Sequence, residues 1–226
     1  METFQRIEKK YLLNEDQFRT FSEKIKPYVR EDRYHLTKIR SLYYDTKTFQ
    51  LIRRSIERPE YKEKLRVRSY GDAEEEKKVF VELKKKFDGV VYKRRTKALC
   101  SEAMKDLYTC RFKDPQVGQE IRYVLDYYPG LHPVIYIGCD RTSYVGKEED
   151  DLRITFDRNI TYRMKDLSLH TNPLDRKLTD ATVMELKIAG AMPVWLAEIL
   201  DEVKAYPRGF SKVGTAFLKE VEGVRS

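Results

Sequence analysis

The sequence predicts an α+β protein built on an antiparallel, closed β-tunnel of about eight strands, with helices on its periphery. Three observations carry this expectation. The first is a period of two in five charged segments, since side chains two apart share one face of a strand. They are Arg6-Ile7-Glu8-Lys9-Lys10-Tyr11, Lys64-Leu65-Arg66-Val67-Arg68, Val79 to Lys86, Leu152-Arg153-Ile154-Thr155-Phe156-Asp157 and Val183-Met184-Glu185-Leu186-Lys187-Ile188. The second is Asp88-Gly89, a tight-hairpin signal between two alternating runs. The third is the shortness of the helical signals, which interrupt the strands without replacing them.

Taken in order, a first strand at about 4–12 leads to Asn14, which can cap a helix, with Gln17 at the capping-box position. Phe18, Phe21 and Ile25 form the apolar stripe of that helix, and Pro27 stops it. A strand at 37–45 holds Leu42-Tyr43-Tyr44-Asp45-Thr46, followed by a helical turn at 48–53. Strands are expected at 61–70, 78–87 and 90–96, and helices at 101–112 and 117–128, the second closed by Pro129-Gly130. Strands resume at 134–145, 152–157 and 182–189. A helix after Pro193 carries Trp195, Leu196, Ile199, Leu200 and Val203, and a last one covers 213–221. No repeat or low-complexity linker divides the chain, so a single domain over 1–226 is expected.

Composition narrows the class. The 226 residues hold 45 Lys plus Arg against 37 Asp plus Glu, a net charge of +8 that suits an anionic partner. With 41% hydrophobic and 12% aromatic residues there is enough apolar mass for a core. Cys100, Cys110 and Cys139 are odd in number and lack CxxC spacing, which reads as free thiols. No basic segment followed by an apolar stretch opens the chain, and no apolar run approaches the roughly 20 residues that cross a bilayer, so a soluble cytoplasmic protein is expected. His35, His132 and His170 have no metal-ligand spacing, and neither a P-loop nor a GxGxxG turn is present.

An amphipathic strand ordinarily turns its charged face to water. Here five strands carry faces dominated by Lys and Arg with isolated Glu. An eight-stranded bore is only wide enough for side chains or a small ligand. Each unpaired buried charge costs several kcal/mol, and too few carboxylates share these faces to offset the cations. Phosphate oxygens match Arg forks and Lys ammonium groups, so the ligand read from the residues is a chain of phosphates. The isolated glutamates suit a divalent ion, because Mg²⁺ and Mn²⁺ take oxygen ligands. Glu185 is the first choice for a metal ligand. For Glu8 and Glu82 an internal salt bridge with Lys10 or Lys84 is an equal alternative.

The motifs Arg6-Ile7-Glu8-Lys9-Lys10-Tyr11, Tyr43-Tyr44-Asp45-Thr46, Leu65-Arg66-Val67-Arg68, Phe80-Val81-Glu82-Leu83-Lys84, Met184-Glu185-Leu186-Lys187 and Phe210-Ser211-Lys212, in this order, resemble the VTC-type polyphosphate polymerase domain. That domain belongs to the triphosphate tunnel metalloenzyme (CYTH-like) superfamily. The resemblance implies a closed tunnel with a C-terminal helix near one mouth, and transfer of the γ-phosphate of ATP to inorganic polyphosphate. It implies Lys10, Arg66, Arg68, Lys84 and Lys93 as catalytic cations. Arg141, Arg153, Lys187, Arg208, Ser211 and Lys212 become phosphate-binding residues, and Glu185, with Glu8 and Glu82, the site of Mn²⁺ or Mg²⁺.

Two positions depart from the pattern. Arg6 stands where triphosphatase relatives carry the first glutamate of an ExExK motif, which tilts the balance toward polymerisation. Gly209 stands where eukaryotic relatives place a lysine, with Arg208 as a substitute. The implied partners are ATP, polyphosphate, triphosphate or pyrophosphate, with no nucleic acid expected. The phosphate-sensing domain and membrane helices of eukaryotic relatives are not among these residues, which leaves any membrane role to a separate partner. The competing readings are a triphosphatase using the same tunnel and a non-catalytic module that binds polyphosphate or inositol phosphates. A nucleic-acid binder would need an open face with stacking aromatics.

Overall fold

The structure, a computed structural model, describes residues 7–57, 59–72, 76–88, 90–149, 151–221 and 223. In chain order the elements are β1 (Ile7–Leu13), α1 (Glu15–Ile25), β2 (Val29–Asp45), α2 (Gln50–Ile56), β3 (Tyr61–Tyr70), β4 (Lys78–Phe87) and β5 (Val90–Leu99). They continue with α3 (Ala103–Thr109), α4 (Pro115–Tyr127), β6 (His132–Gly146), β7 (Arg153–Arg163), β8 (Arg176–Lys177), β9 (Thr182–Ile188), α5 (Val194–Glu202) and α6 (Lys212–Glu220). The α+β class is as expected.

Local chemistry sets the helix starts. The Gln17 N–H donates to Asn14 Oδ1 at 2.8 Å and the Asn14 N–H donates to Gln17 Oε1 at 3.0 Å, a complete capping box. Asp114 caps α4 by accepting from the N–H groups of Gln116 and Val117, with Pro115 in the first turn. The cap of α2 comes from a distance. Phe49 precedes the helix in the left-handed region (φ 58°) and makes no side-chain cap. Asp45, fully buried, instead accepts from the N–H groups of Thr46, Leu51 and Ile52 at 2.7 to 2.9 Å. The end of β2 is thereby tied to α2, which fixes Tyr43 two residues before it.

The sheet runs in the order β1-β9-β7-β6-β2-β3-β4-β5, with β8 paired to β7. The β1–β9, β9–β7, β7–β8, β2–β3, β3–β4 and β4–β5 pairs are antiparallel. Among the described residues no ladder joins β5 to β1, so the hydrogen-bonded path is open where a closed tunnel was expected. The outer strand β5 carries Lys93, Arg94, Arg95 and Lys97, and charge of one sign along an edge opposes further strand pairing.

Further differences are of extent, the largest at β7, which runs to Arg163 where a strand at 152–157 was expected. β2 begins at Val29, because Arg30 to Leu36 keep strand geometry while exposed or half-buried, with no apolar run to signal it. β5 continues to Leu99 because its last residues pair with the start of β4, Lys78 opposite Leu99. The two-residue β8 is too short to leave a periodic signal. Residues 4–6 of the expected first strand and Gly89 of the expected hairpin lie outside the described residues, whereas Asp88 adopts the left-handed turn conformation (φ 43°).

The chain divides into two compact units, one comprising 1–37, 139–160 and 179–211, the other 38–138, 161–178 and 212–226. β2, β6 and β7 contribute residues to both. The first unit has a core of Tyr11, Phe21, Ile154, Phe156, Met184 and Leu186 under α1 and α5. The second packs Leu65, Val67, Val81 and Leu83 against Leu107 of α3 and Val117, Ile121 and Val124 of α4. Truncating fully buried Leu65 to Ala would cost roughly 2–5 kcal/mol. Cys100, Cys110 and Cys139 form no disulfide among the described residues. Among the described residues no helix is long and apolar enough to cross a membrane.

Candidate functional site: two charged strand faces

In the second unit, strand pairing stacks residues of like parity into rows. Tyr43, Arg66, Glu82 and Arg95 face one another across β2, β3, β4 and β5, as do Lys64, Lys84 and Lys93 across β3 to β5, and Ser41, Arg68, Phe80 and Lys97 across all four. The apolar residues between them, Leu65, Val67, Val81 and Leu83, point to the helix-covered core. Lys85, of opposite parity to Lys84, lies on that helical side and pairs with Glu120 of α4 at 3.2 Å, beside Arg94 at 3.1 Å.

Glu82 is the centre of the charged face and is only 1% exposed. Its Oε2 accepts from Arg66 Nε at 2.7 Å and lies 2.6 Å from Arg66 Nη2 and 3.9 Å from Arg68 Nη1. Its Oε1 lies 2.7 Å from Lys93 Nζ. Burial alone would raise the Glu82 carboxyl, but Arg66, Arg68 and Lys93 overcome it and hold it at about 2. Lys93 is lowered, because burial outweighs the attraction of the shared carboxylate.

Arg66 donates its third arm, Nη1, to Tyr43 Oη at 2.9 Å. Burial would raise the Tyr43 phenol, yet the positive charges of Arg66, Arg68 and Lys64 bring it down to about 7. Arg68 donates Nε to Ser41 Oγ at 3.1 Å. One carboxylate thus serves three cations, and the remaining guanidinium N–H groups of Arg66 and Arg68 stay available for an anion.

The first unit has its own charged face. Glu8 faces Lys187 and then Arg153 across β1, β9 and β7; Lys10 faces Glu185 and then Thr155. Lys10 Nζ lies 3.6 Å from Glu8 and 3.9 Å from Glu185, and donates to the Phe210 carbonyl at 3.3 Å. Lys187 Nζ lies 2.8 Å from Glu185. Burial would raise Glu185, but Lys187, Lys10 and Arg141 hold it at about 2, so it is an ionised oxygen donor. Arg141 grips Asp157 with two donors, at 2.6 and 2.7 Å. Arg153 pairs with Asp32 at 3.5 Å. The Thr155 hydroxyl, opposite Glu185, is buried with no hydrogen-bond partner among the described residues.

The VTC domain family matches residues 5–219, nearly the whole chain. The chain belongs to the VTC domain family. No curated protein matches it at a significant level. Among solved structures, a candidate adenylate cyclase of Bacillus halodurans is similar at 17% identity, over 91% of this chain and 93% of that one, with a TM-score of 0.57. A candidate adenylate cyclase of Vibrio parahaemolyticus is similar at 12% identity (95% and 99% covered, TM-score 0.48). A candidate adenylyl cyclase of Hippeastrum, with a dominant triphosphatase activity, is similar at 17% identity (95% of each, TM-score 0.47). The Bacillus likeness bears on the fold alone.

The sequence-derived residues fall into these two groups. Arg66, Arg68, Glu82 and Lys93 are brought together, and Lys84 holds the adjacent row. Lys10, Glu8, Glu185 and Lys187 form the other contact set, with Arg141 within electrostatic reach of Glu185. Arg208 is exposed and reaches β1 through its backbone, its N–H donating to the Lys10 carbonyl at 2.8 Å. Ser211 and Lys212 are half-buried at the start of α6. Arg6, on which the departure from ExExK rests, lies outside the described residues.

Sequence reasoning missed Tyr43 and Asp157 as partners of the site arginines. Asp157 has the parity of Arg153 and Thr155, which was a usable signal. Tyr43 belongs to the Tyr43-Tyr44-Asp45-Thr46 motif, but only the register opposite Arg66 shows its part.

Proposed function

We propose that this VTC domain is a polyphosphate polymerase that transfers the γ-phosphate of ATP to a growing inorganic polyphosphate chain. The observation that carries the reading is the imbalance at Glu82, one buried carboxylate serving Arg66, Arg68 and Lys93. A triphosphate supplies the missing negative charge and accepts from the open guanidinium N–H groups. Phosphoryl transfer passes through a loose transition state in which positioning and charge neutralisation do most of the catalysis. Arg66, Arg68, Lys84 and Lys93 orient the triphosphate. Glu82 and Tyr43 fix the Arg66 fork so that it meets the phosphate without reordering. A terminal oxygen of the acceptor chain attacks the γ-phosphorus, the bond to the β,γ-bridging oxygen breaks, and ADP leaves. Lys10, Lys187, Arg141, Arg153, Arg208, Ser211 and Lys212 contribute the contacts to the phosphate chain.

The residues present also fit a divalent ion. Among the described residues no three His, Cys, Asp or Glu side chains gather into a complete cage. Mg²⁺ commonly takes only one or two carboxylates and completes its shell with substrate phosphates and water. Ionised Glu185 and neighbouring Glu8 would hold Mn²⁺ or Mg²⁺, beside the unpartnered Thr155 hydroxyl. When bound, the ion neutralises charge on phosphate oxygens. Glu82, enclosed by three cations, organises the arginines.

A triphosphatase is the second reading, favoured by Glu8 and Glu185 both flanking Lys10. Purified protein is incubated with ATP and Mn²⁺ and the products are resolved on a gel. Long anionic polymer supports the polymerase; orthophosphate alone overturns it in favour of hydrolysis.

A further inference from the structure

One row beyond Glu82, the charged face of β3 to β5 becomes aromatic. Phe80 lies opposite both Arg68 and Lys97, and Tyr70 ends β3 with the same parity as Arg66 and Arg68. Their rings meet edge to face, centroids 5.4 Å apart at 81°. The Arg95 guanidinium lies over the Phe80 ring at 5.1 Å and Lys97 Nζ at 5.9 Å. Arg95 itself faces Glu82, so one side chain links the carboxylate row to the rings. Tyr70 is 37% exposed although it continues a strand face that is otherwise cationic.

Flat π surfaces beside cations are what a nucleobase stacks on, whether an aromatic ring or a guanidinium plane. Alternate residues on a strand are roughly 6–7 Å apart, so the rings follow the phosphate-gripping row by one step and by two. We infer that Tyr70, Phe80 and Arg95 form a nucleobase-stacking subsite that makes this face prefer nucleoside triphosphates over inorganic triphosphate. The inference rests on the reading that Arg66, Arg68 and Lys93 hold the triphosphate. The ribose then lies beside Arg68 and the base over Tyr70 and the Arg95–Phe80 stack. Stacking does not discriminate among bases, so adenosine and guanosine triphosphates bind alike.

Calorimetric titration of wild type, Tyr70→Ser and Phe80→Leu with the β,γ-imido analogue of ATP, and separately with tripolyphosphate, tests this. The variants should lose roughly fivefold or more in affinity for the nucleotide, as expected for one lost base stack, and less than about twofold for tripolyphosphate. Unchanged tripolyphosphate binding also certifies the fold, and Phe80→Leu keeps apolar bulk in the half-buried position. Equal losses for both ligands, or no loss for either, overturn the subsite while leaving the triphosphate reading intact. Failure of wild type to bind tripolyphosphate overturns that reading and the subsite with it.

Discussion

The two charged strand faces use the same device in different proportions. On the face built by β3 to β5, Lys64, Arg66, Arg68, Lys84, Lys93, Arg95 and Lys97 share parity with a single carboxylate, Glu82. On the face built by β1, β9, β7 and β6, Lys10, Lys187 and Arg141 alternate with Glu8, Glu185 and Asp157, each cation within reach of an acid. Alternation in sequence therefore does not fix electrostatic character. A face with excess cations is completed by a polyanion, whereas a balanced face can present ionised oxygens to a metal while its cations hold them in place.

The largest effect expected is on the balanced face. Glu185→Ala should reduce metal-dependent turnover by more than about 100-fold, since the ion supplies several kcal/mol of charge stabilisation; turnover assays across a Mn²⁺ titration check it. Wild-type rates in the variant would break the division of labour.

On the cationic face, Glu82→Gln should lower stability by roughly 3 kcal/mol, because it strands Arg66, Arg68 and Lys93 without their shared counter-charge. Denaturant midpoints measure this, and added tripolyphosphate should restore part of the loss by binding the native state. The wild-type carboxyl also predicts acid sensitivity. Its folded value of about 2 lies below the ordinary 4.5, so its stabilisation is full above about 4.5 and fades as pH falls toward 2.

The smallest effect belongs to Tyr43. Its phenol is brought from 10 to about 7, so raising the pH through neutrality places a negative charge beside Arg66 and Arg68. Wild-type affinity for tripolyphosphate should fall relative to Tyr43→Phe between about pH 6 and about pH 8, by severalfold, as linkage requires. The same shift means the phenolate adds stability as pH rises from about 7 to 10 and none below 7. Parallel pH profiles in the two proteins would remove Tyr43 from the site.

Much of this was legible in the sequence, and the limits have physical causes. The bounds of β3 and β4, 61–70 and 78–87, are legible because Leu65-Arg66-Val67-Arg68 and Val79 to Lys84 largely alternate and Gly71 and Asp88 mark the turns that follow. The parity of Glu82, Lys84 and Lys85 followed from the same period. The N-terminal part of β2 was hidden because its stretch is charged and exposed, so pairing rather than pattern makes it a strand. Closure of the tunnel was not legible, since the partners of β1 and β5 depend on long-range register. Tyr43 and Asp157 acquire their roles only from what lies across the sheet, Arg66 in one case and Arg141 in the other.

In this division of labour the cationic face holds the triphosphate and the balanced face holds the metal. Calorimetric titration of tripolyphosphate into wild type, Arg66→Ala and Glu185→Ala, all in excess chelator, tests it most directly. Metal-free binding should persist in wild type and stay within about threefold in Glu185→Ala. It should weaken about 100-fold in Arg66→Ala, as loss of charge-assisted hydrogen bonds worth about 3 kcal/mol requires. Binding abolished by Glu185→Ala but untouched by Arg66→Ala would contradict the account.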